Sequence, residues 1–297
     1  LLFSMVNGAF YQVVNTPLSE DTVERLYGKT IKGSISRLQV FASCPYQYYL
    51  KYGLKLKEEP SAEVTPRSGG LMLHEILQLF GQKLKEQGKN WYEITHEEKE
   101  AILDEIIKEI SVSPDYEAYT ISGKNRYLGS YVSRTARKSV DILSNQLEAG
   151  GFKPAEFEKK FMSVESLDNG FKMELHEVID RIDVYENDKG EKYIKIIDYK
   201  TGNEDFSPVN TAIGTKLQLP VYMKRALGDL GNTIPGAMFY YHAADPMVET
   251  DSDGDDEDTI KKMLQKELAP RGLVNGSDEV LRVLDKDLEN DLPPNAK

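Results

Sequence analysis

Apolar residues recur at helical spacing over 71–85, at Leu73, Ile76, Leu77, Phe80 and Leu84, which predicts an amphipathic helix. Thr95, followed three residues later by Glu98, predicts a capping box for a second helix whose Ile102, Leu103, Ile106, Ile107 and Ile110 face a core. A third helix is expected over 126–148. After Pro154 the period shortens from helical to alternating, and strands are predicted over 157–165, 171–185 and 192–199. Helical spacing returns over 216–227, where Pro220 is tolerable only in the first turn, and 234–241 reads as a further strand. Upstream, Ser36 is expected to cap a helix running through Leu38, Val40 and Phe41 to Tyr48, Tyr49 and Leu50, with a polar linker over 58–70 behind it. Residues 1–33 carry turn signals at Pro17, Gly28 and Gly33 but no clear period.

Composition narrows the class. At 297 residues and 40% apolar content the chain can bury a full core. No apolar run approaches the roughly 20 residues of a membrane helix, and Leu1 to Phe10 lacks the basic start of a signal peptide. A cytoplasmic protein is expected. Its single cysteine, Cys44, excludes an internal disulfide and suits a reducing compartment. The Leu start suggests a piece of a longer polypeptide.

The net charge of −12 is concentrated late: from position 241 onward 15 acidic residues face 7 basic ones, leaving −4 for residues 1–240. The acidic peak over 251–258 lacks the sixth-position Gly and twelfth-position Glu of a calcium loop, and reads as a solvated loop. For a nucleic-acid partner the chain would need a local basic track, for which Lys51, Lys55, Lys57, Arg134, Arg137 and Lys138 are candidates, near Tyr46, Tyr48, Tyr49 and Tyr131.

The chemistry gathers at the hairpin. Asn187, Asp188, Lys189 and Gly190 form a strong turn by composition, and folding about position 189 sets Asp180 opposite Asp198. Lys200, two residues on, shares the strand face of Asp198. Two carboxylates and an ammonium at one point suit phosphodiester hydrolysis, with hard oxygen ligands for Mg²⁺ or Mn²⁺ and a cation for the charge that builds on phosphorus. Asp-x-Lys alone is also a common accident in a salt-bridged sheet. By strand parity Asp183 faces away from Asp180, so a salt bridge with Arg181 or a neighbour is expected for it rather than metal binding.

The runs Val178-Ile-Asp-Arg-Ile-Asp-Val184 and Ile196-Ile-Asp-Tyr-Lys-Thr-Gly202 resemble the nuclease domain of RecB-type enzymes in the PD-(D/E)xK superfamily. Ser34 to Leu38, Cys44 to Leu54, Gly69 to Leu77 and Leu217 to Tyr222 follow the same order, and together they most resemble the C-terminal nuclease domain of the AddB/RexB type, the B-type component of bacterial ATP-dependent helicase/deoxyribonucleases. The resemblance implies an α/β fold with a restriction-endonuclease-like core: a central mixed sheet flanked by helices, with a helical insertion at about 90–150. It implies metal ligation by His74, Asp180, Asp198 and the Tyr199 carbonyl, with Glu158 a marginal addition, and makes Lys200 the catalytic lysine. Gln218 and Tyr222 match a Gln-x-x-x-Tyr motif beside the active site. The resemblance also implies Mg²⁺-dependent exonucleolytic cleavage of DNA in double-strand break repair and recombination, on an unwound, 5′-terminated strand fed by an A-type helicase-nuclease partner in a heterodimer.

Two departures stand out. Glu177 occupies a position where such proteins usually have Gly, and only Cys44 is present where relatives often bind an iron-sulfur cluster through four cysteines. Cys44 is then a cluster ligand only in a full-length protein. The expected organisation is a segment over 1–33 from a preceding region, a nuclease domain over 34–245, and an acidic tail over 246–297. Competing readings are a stand-alone single-strand exonuclease without a helicase, a catalytically inactive DNA-binding module of the same fold, and a calcium-binding structural protein.

Overall fold

The computed structural model describes residues 17–57, 64–202, 204–248 and 257–286. Six strands form one mixed sheet: β1 (Thr30–Gly33), β2 (Lys153–Ser166), β3 (Lys172–Glu186), β4 (Lys192–Lys200), β5 (Thr233–His242) and β6 (Arg271–Val274). Their order is β1-β3-β4-β5-β6, with β2 paired to β3 off that path. Four central strands were legible from alternation. The edge strands β1 and β6, four residues each, were not, because so short a run carries no period. Both lie outside the 34–245 span expected for the nuclease domain, yet they belong to its sheet.

The hairpin register matches expectation, with Arg181 opposite Ile197 and Glu186 opposite Lys192. Asn187 closes the turn by accepting the Lys189 and Glu191 amides on its Oδ1, and Gly190 supplies the positive φ of 78°. β3 is shared unequally. β2 pairs along one of its edges, while the other edge meets β1 over 172–175 and β4 over 181–186. A fork is left between β1 and β4, and residues 176–180 of β3 line it.

Helices cover both faces. α4 (Pro66–Glu86), α5 (His96–Ser111) and α6 (Gly123–Ala149) pack on one side, joined through a 3₁₀ segment, Pro114–Thr120. Their core contains Leu73, Phe80, Trp91, Leu103, Ala136 and Leu143 against Phe157, Ile197, Tyr199 and Tyr241 of the sheet. The Thr95–Glu98 capping box forms in both directions. The other face is covered by α2 (Ile35–Ser43) and α8 (Gln218–Leu230), which bury Ile35, Leu219, Tyr222 and Ala226 against Ile179, Ile182, Ile194 and Ile196. Pro220 falls in the first turn of α8, as required. α1 (Glu20–Tyr27), α7 (Pro208–Ala212), α9 (Glu257–Glu267) and α10 (Asp278–Leu284) complete the periphery. Within the described residues no helix is long and apolar enough to cross a membrane.

Several sequence expectations are corrected. The cap of α2 is Ser34, whose Oγ accepts the Arg37 amide; Ser36 lies inside the helix. That helix ends at Ser43 because Pro45 cannot continue it. The chain restarts at α3 (Pro45–Tyr48) and widens into a π turn over Tyr49–Gly53. The polar linker is shorter than expected, since α4 begins at Pro66 with a Thr65–Ser68 capping box; residues 58–63 lie outside the described residues, as does most of the acidic stretch 251–258.

Candidate metal centre

β3 and β4 separate just beyond the Arg181–Ile197 pair, and Asp180 stands at the separation. Its Oδ2 accepts the Tyr199 amide at 2.6 Å, so the carboxylate takes over a hydrogen bond that the ladder would otherwise make. Asp180 and Asp198 are therefore neighbours across the opening fork rather than a regular ladder pair. Lys200 closes on the Asp198 Oδ2 from two residues along the same strand.

Glu158 enters by a route that parity could not anticipate. The ladder pairs Phe157 with Arg181 and Lys159 with Ile179, which leaves Glu158 opposite Asp180. Along β2, Phe157 belongs to the α4–α6 layer while Phe161 packs in the α2–α8 layer, although an even spacing should keep them on one face. Along β3, Ile179 and Ile182 share the α2–α8 layer although an odd spacing should part them. Both strands therefore exchange faces once, at the level of Glu158 and Asp180, and Glu158 absorbs the change with a φ of 48°. A left-handed non-glycine residue costs on the order of 1 kcal/mol. Such strain persists where the surroundings demand it, and here it aligns two carboxylates.

From α4, His74 completes the cluster. Its Nε2 lies 2.9 Å from the Tyr199 carbonyl oxygen and its Nδ1 lies 3.4 Å from the Asp180 Oδ2. Ligand atoms of His74, Glu158 and Asp180 all fall within 4.8 Å of one another. Asp198 is more withdrawn, 2% exposed, with its carboxylate engaged by Lys200.

The electrostatics describe a site short of positive charge. Burial, followed by the charge of Asp180, pushes the Asp198 carboxyl up to about 7 despite Lys200. The same two causes push Glu158 to about 7. Burial works against the imidazolium of His74, but the hydrogen bond and charge of Asp180, aided by Asp198 and Glu158, outweigh it and raise the group above its ordinary value. Carboxylates crowded in a half-dry fork hold their charge poorly on their own. A divalent cation would relieve them, and three carboxylates, one imidazole and one carbonyl form a donor set that fits Mg²⁺ or Mn²⁺.

Gln218 and Tyr222 sit one turn apart on α8, 3.5 Å from Nε2 to hydroxyl. Tyr222 is no surface residue: it is buried, and burial, then the charges of Asp198, Glu177 and Asp180, hold its hydroxyl protonated far above neutrality. Tyr240 was missed in the sequence because a strand tyrosine carries no signal of its own; its ring lies 5.6 Å from the Lys200 Nζ. Asp183 behaves as expected, on the opposite face, 2.8 Å from the Arg181 Nε and 3.0 Å from the Lys195 Nζ. Cys44 is a free, half-buried thiol that receives the Gln47 amide at the start of α3.

The basic track is only half available. Arg137 is committed to Glu100 and Asp104, and Arg134 and Lys138 both pair with Asp245. On the other side, Arg37 stacks 4.3 Å from the Tyr52 ring centroid and 5.7 Å from that of Tyr48, and Lys51 lies 5.4 Å from Tyr52.

A family model described as the PD-(D/E)XK nuclease superfamily matches residues 32–294. Three proteins named as the B-type component of an ATP-dependent helicase/deoxyribonuclease are similar over most of the chain. That of Lachnoclostridium phytofermentans is 32% identical over 100% of this chain and 26% of its own length. That of Caldanaerobacter subterraneus subsp. tengcongensis is 33% identical over 90% and 24%, and that of Clostridium novyi 30% over 92% and 25%. The chain thus spans about a quarter of the length of these relatives.

Proposed function

Because the chain belongs to the PD-(D/E)XK nuclease superfamily, we propose that it hydrolyses DNA phosphodiester bonds with a divalent metal, Mg²⁺ or Mn²⁺, as an exonuclease working on a strand delivered by a helicase-nuclease partner. The names of its relatives support DNA as substrate and a partner protein. The observation that carries the reading is the convergence of Asp180, Glu158, His74, Asp198 and Lys200 at the β3–β4 fork.

His74, Glu158, Asp180, Asp198 and the Tyr199 carbonyl would hold the ion. When bound, it supplies a Lewis acid for the phosphate and a lowered pKa for water. The chain's own groups do the rest. Asp180 fixes the Tyr199 backbone through its amide, and the same residue's carbonyl contacts His74, so the ligands are ordered before substrate arrives. Lys200 has its ammonium beside Asp198, positioned to orient water and to neutralise charge on the pentavalent phosphorus. Tyr222, held neutral, is a hydroxyl donor on the α8 side.

The test is cleavage of end-labelled single-stranded and duplex DNA by the purified chain, with Mg²⁺ or with chelator, beside calorimetric titration of the metal. Asp180→Asn and Lys200→Ala should each lose at least about 100-fold in rate with the fold intact, and Glu158→Gln should weaken metal binding about 10-fold or more. Chelator-resistant cleavage, or near-normal rates in both the Asp180 and Lys200 variants, would overturn the assignment. A protein that shifts DNA without shortening it would be a binding module of this fold.

A further inference from the structure

Beside the fork lies a cavity of about 350 Å³ between α4 and α6, walled by Gly69 and Leu73 on one side, Tyr119, Leu128 and Tyr131 on the other, and floored by Thr201. It shares chain neighbours with the candidate centre: Leu73 precedes His74, and Thr201 follows Lys200. We infer that this cavity receives an unstacked nucleobase of a single-stranded substrate, next to the phosphate being cut. The inference rests on the nuclease reading above and adds to it the form of the substrate.

The glycines at its wall speak for space that is used. Gly69 and Gly70 both lie inside α4, where each glycine costs about 1 kcal/mol relative to alanine. At Gly70 the cost has a packing reason, since a Cβ would stand 3.1 Å from the Thr201 Oγ1. At Gly69 it has none: a Cβ would meet Val132 at 3.5 Å and the Tyr119 hydroxyl at 3.6 Å, ordinary contact distances. The absent side chain keeps the cavity open rather than relieving a clash.

The lining suits a flat, mostly apolar ring with polar edges. Leu73, Leu128 and Val132 offer apolar surface, while the hydroxyls of Tyr119 and Thr201 stand at the wall and floor. At the mouth Tyr131 is 37% exposed and Tyr127 63% exposed, and the Arg134 guanidinium lies 5.8 Å and 6.0 Å from their rings. Aromatic faces backed by a guanidinium form a stacking platform for the following bases. A base paired in a duplex cannot reach such a cavity without being extruded, which favours a single strand.

The experiment uses the purified chain with chelator, so that nothing is cut, and single-stranded oligonucleotides each carrying one 2-aminopurine stepped along the strand. At one or two positions the fluorescence should change at least twofold on binding, and Gly69→Leu, which fills the cavity from the helix, should abolish that change and weaken binding several-fold. Leu128→Trp fills it from the opposite wall and should do the same. No responsive position, or a response that survives both variants, overturns the inference, including the case in which the cavity houses a side chain of a partner protein. Mg²⁺-dependent cleavage of the same strands is read in parallel. A cavity response without cleavage would sink the nuclease reading alone, and cleavage without a response would sink the cavity alone.

Discussion

At Glu177 a carboxylate lies on β3 with its Oε1 accepting the Ile35 amide at the start of α2, so it serves as a second cap beside Ser34. Burial raises its pKa, and the Ile35 hydrogen bond only partly offsets this. A carboxyl held above its ordinary 4.5 in the fold costs stability once the pH passes that value, and the cost is complete above the folded pKa. Glu177→Gln keeps the acceptor and removes the charge. Its melting temperature should exceed that of the parent at pH 7.5 and converge with it near pH 4. Because the group is only half-buried, the gain should stay below about 1 kcal/mol, or roughly 2 °C. A variant less stable at pH 7.5 would mean that the charged cap outweighs its burial. The sequence marked this residue as a departure from related proteins; what it hid was the partner, because a contact between positions 35 and 177 leaves no local pattern.

Among the elements, β2 and β3 set what was legible and what was not. The hairpin could be read because turn composition and alternation fix register together, and its pairing held from Arg181–Ile197 to Glu186–Lys192. Glu158 could not be placed, since both strands exchange faces at its level and parity counts fail beyond that point. The exchange is braced by α4, whose Gly81 lies so close to β2 that a Cβ there would overlap the Phe157 ring. Gly81→Ala should therefore destabilise by about 1–3 kcal/mol from overpacking, against a gain of about 1 kcal/mol in helix propensity. Phe157 adjoins Glu158, so the displaced ring should also weaken metal affinity, which isothermal titration would detect. A more stable Gly81→Ala protein would show that β2 can step back from the helix freely.

For the whole molecule the question is how a chain of net charge −12 approaches a polyanion. Part of the acidity lies in a segment remote from the fork in sequence, and part is already neutralised locally, since Asp245 pairs with Arg134 and Lys138, and Glu100 and Asp104 pair with Arg137. Those same pairs remove Arg137 from service as a phosphate contact. The aromatic side of the track differs, because Arg37 and Lys51 lie over Tyr48 and Tyr52, where stacking and charge act together. Affinity for single-stranded DNA should fall steeply between about 50 and 200 mM salt, as counterions released on binding are recaptured. Lys51→Ala and Arg37→Ala should each flatten the slope of log K against log salt by up to about 1, whereas Arg137→Ala should leave it unchanged. Fluorescence anisotropy on a labelled oligonucleotide reads all three. A slope sensitive to Arg137 and indifferent to Arg37 and Lys51 would move the track to the α6 face and would require the pairs with Glu100 and Asp104 to open when DNA binds.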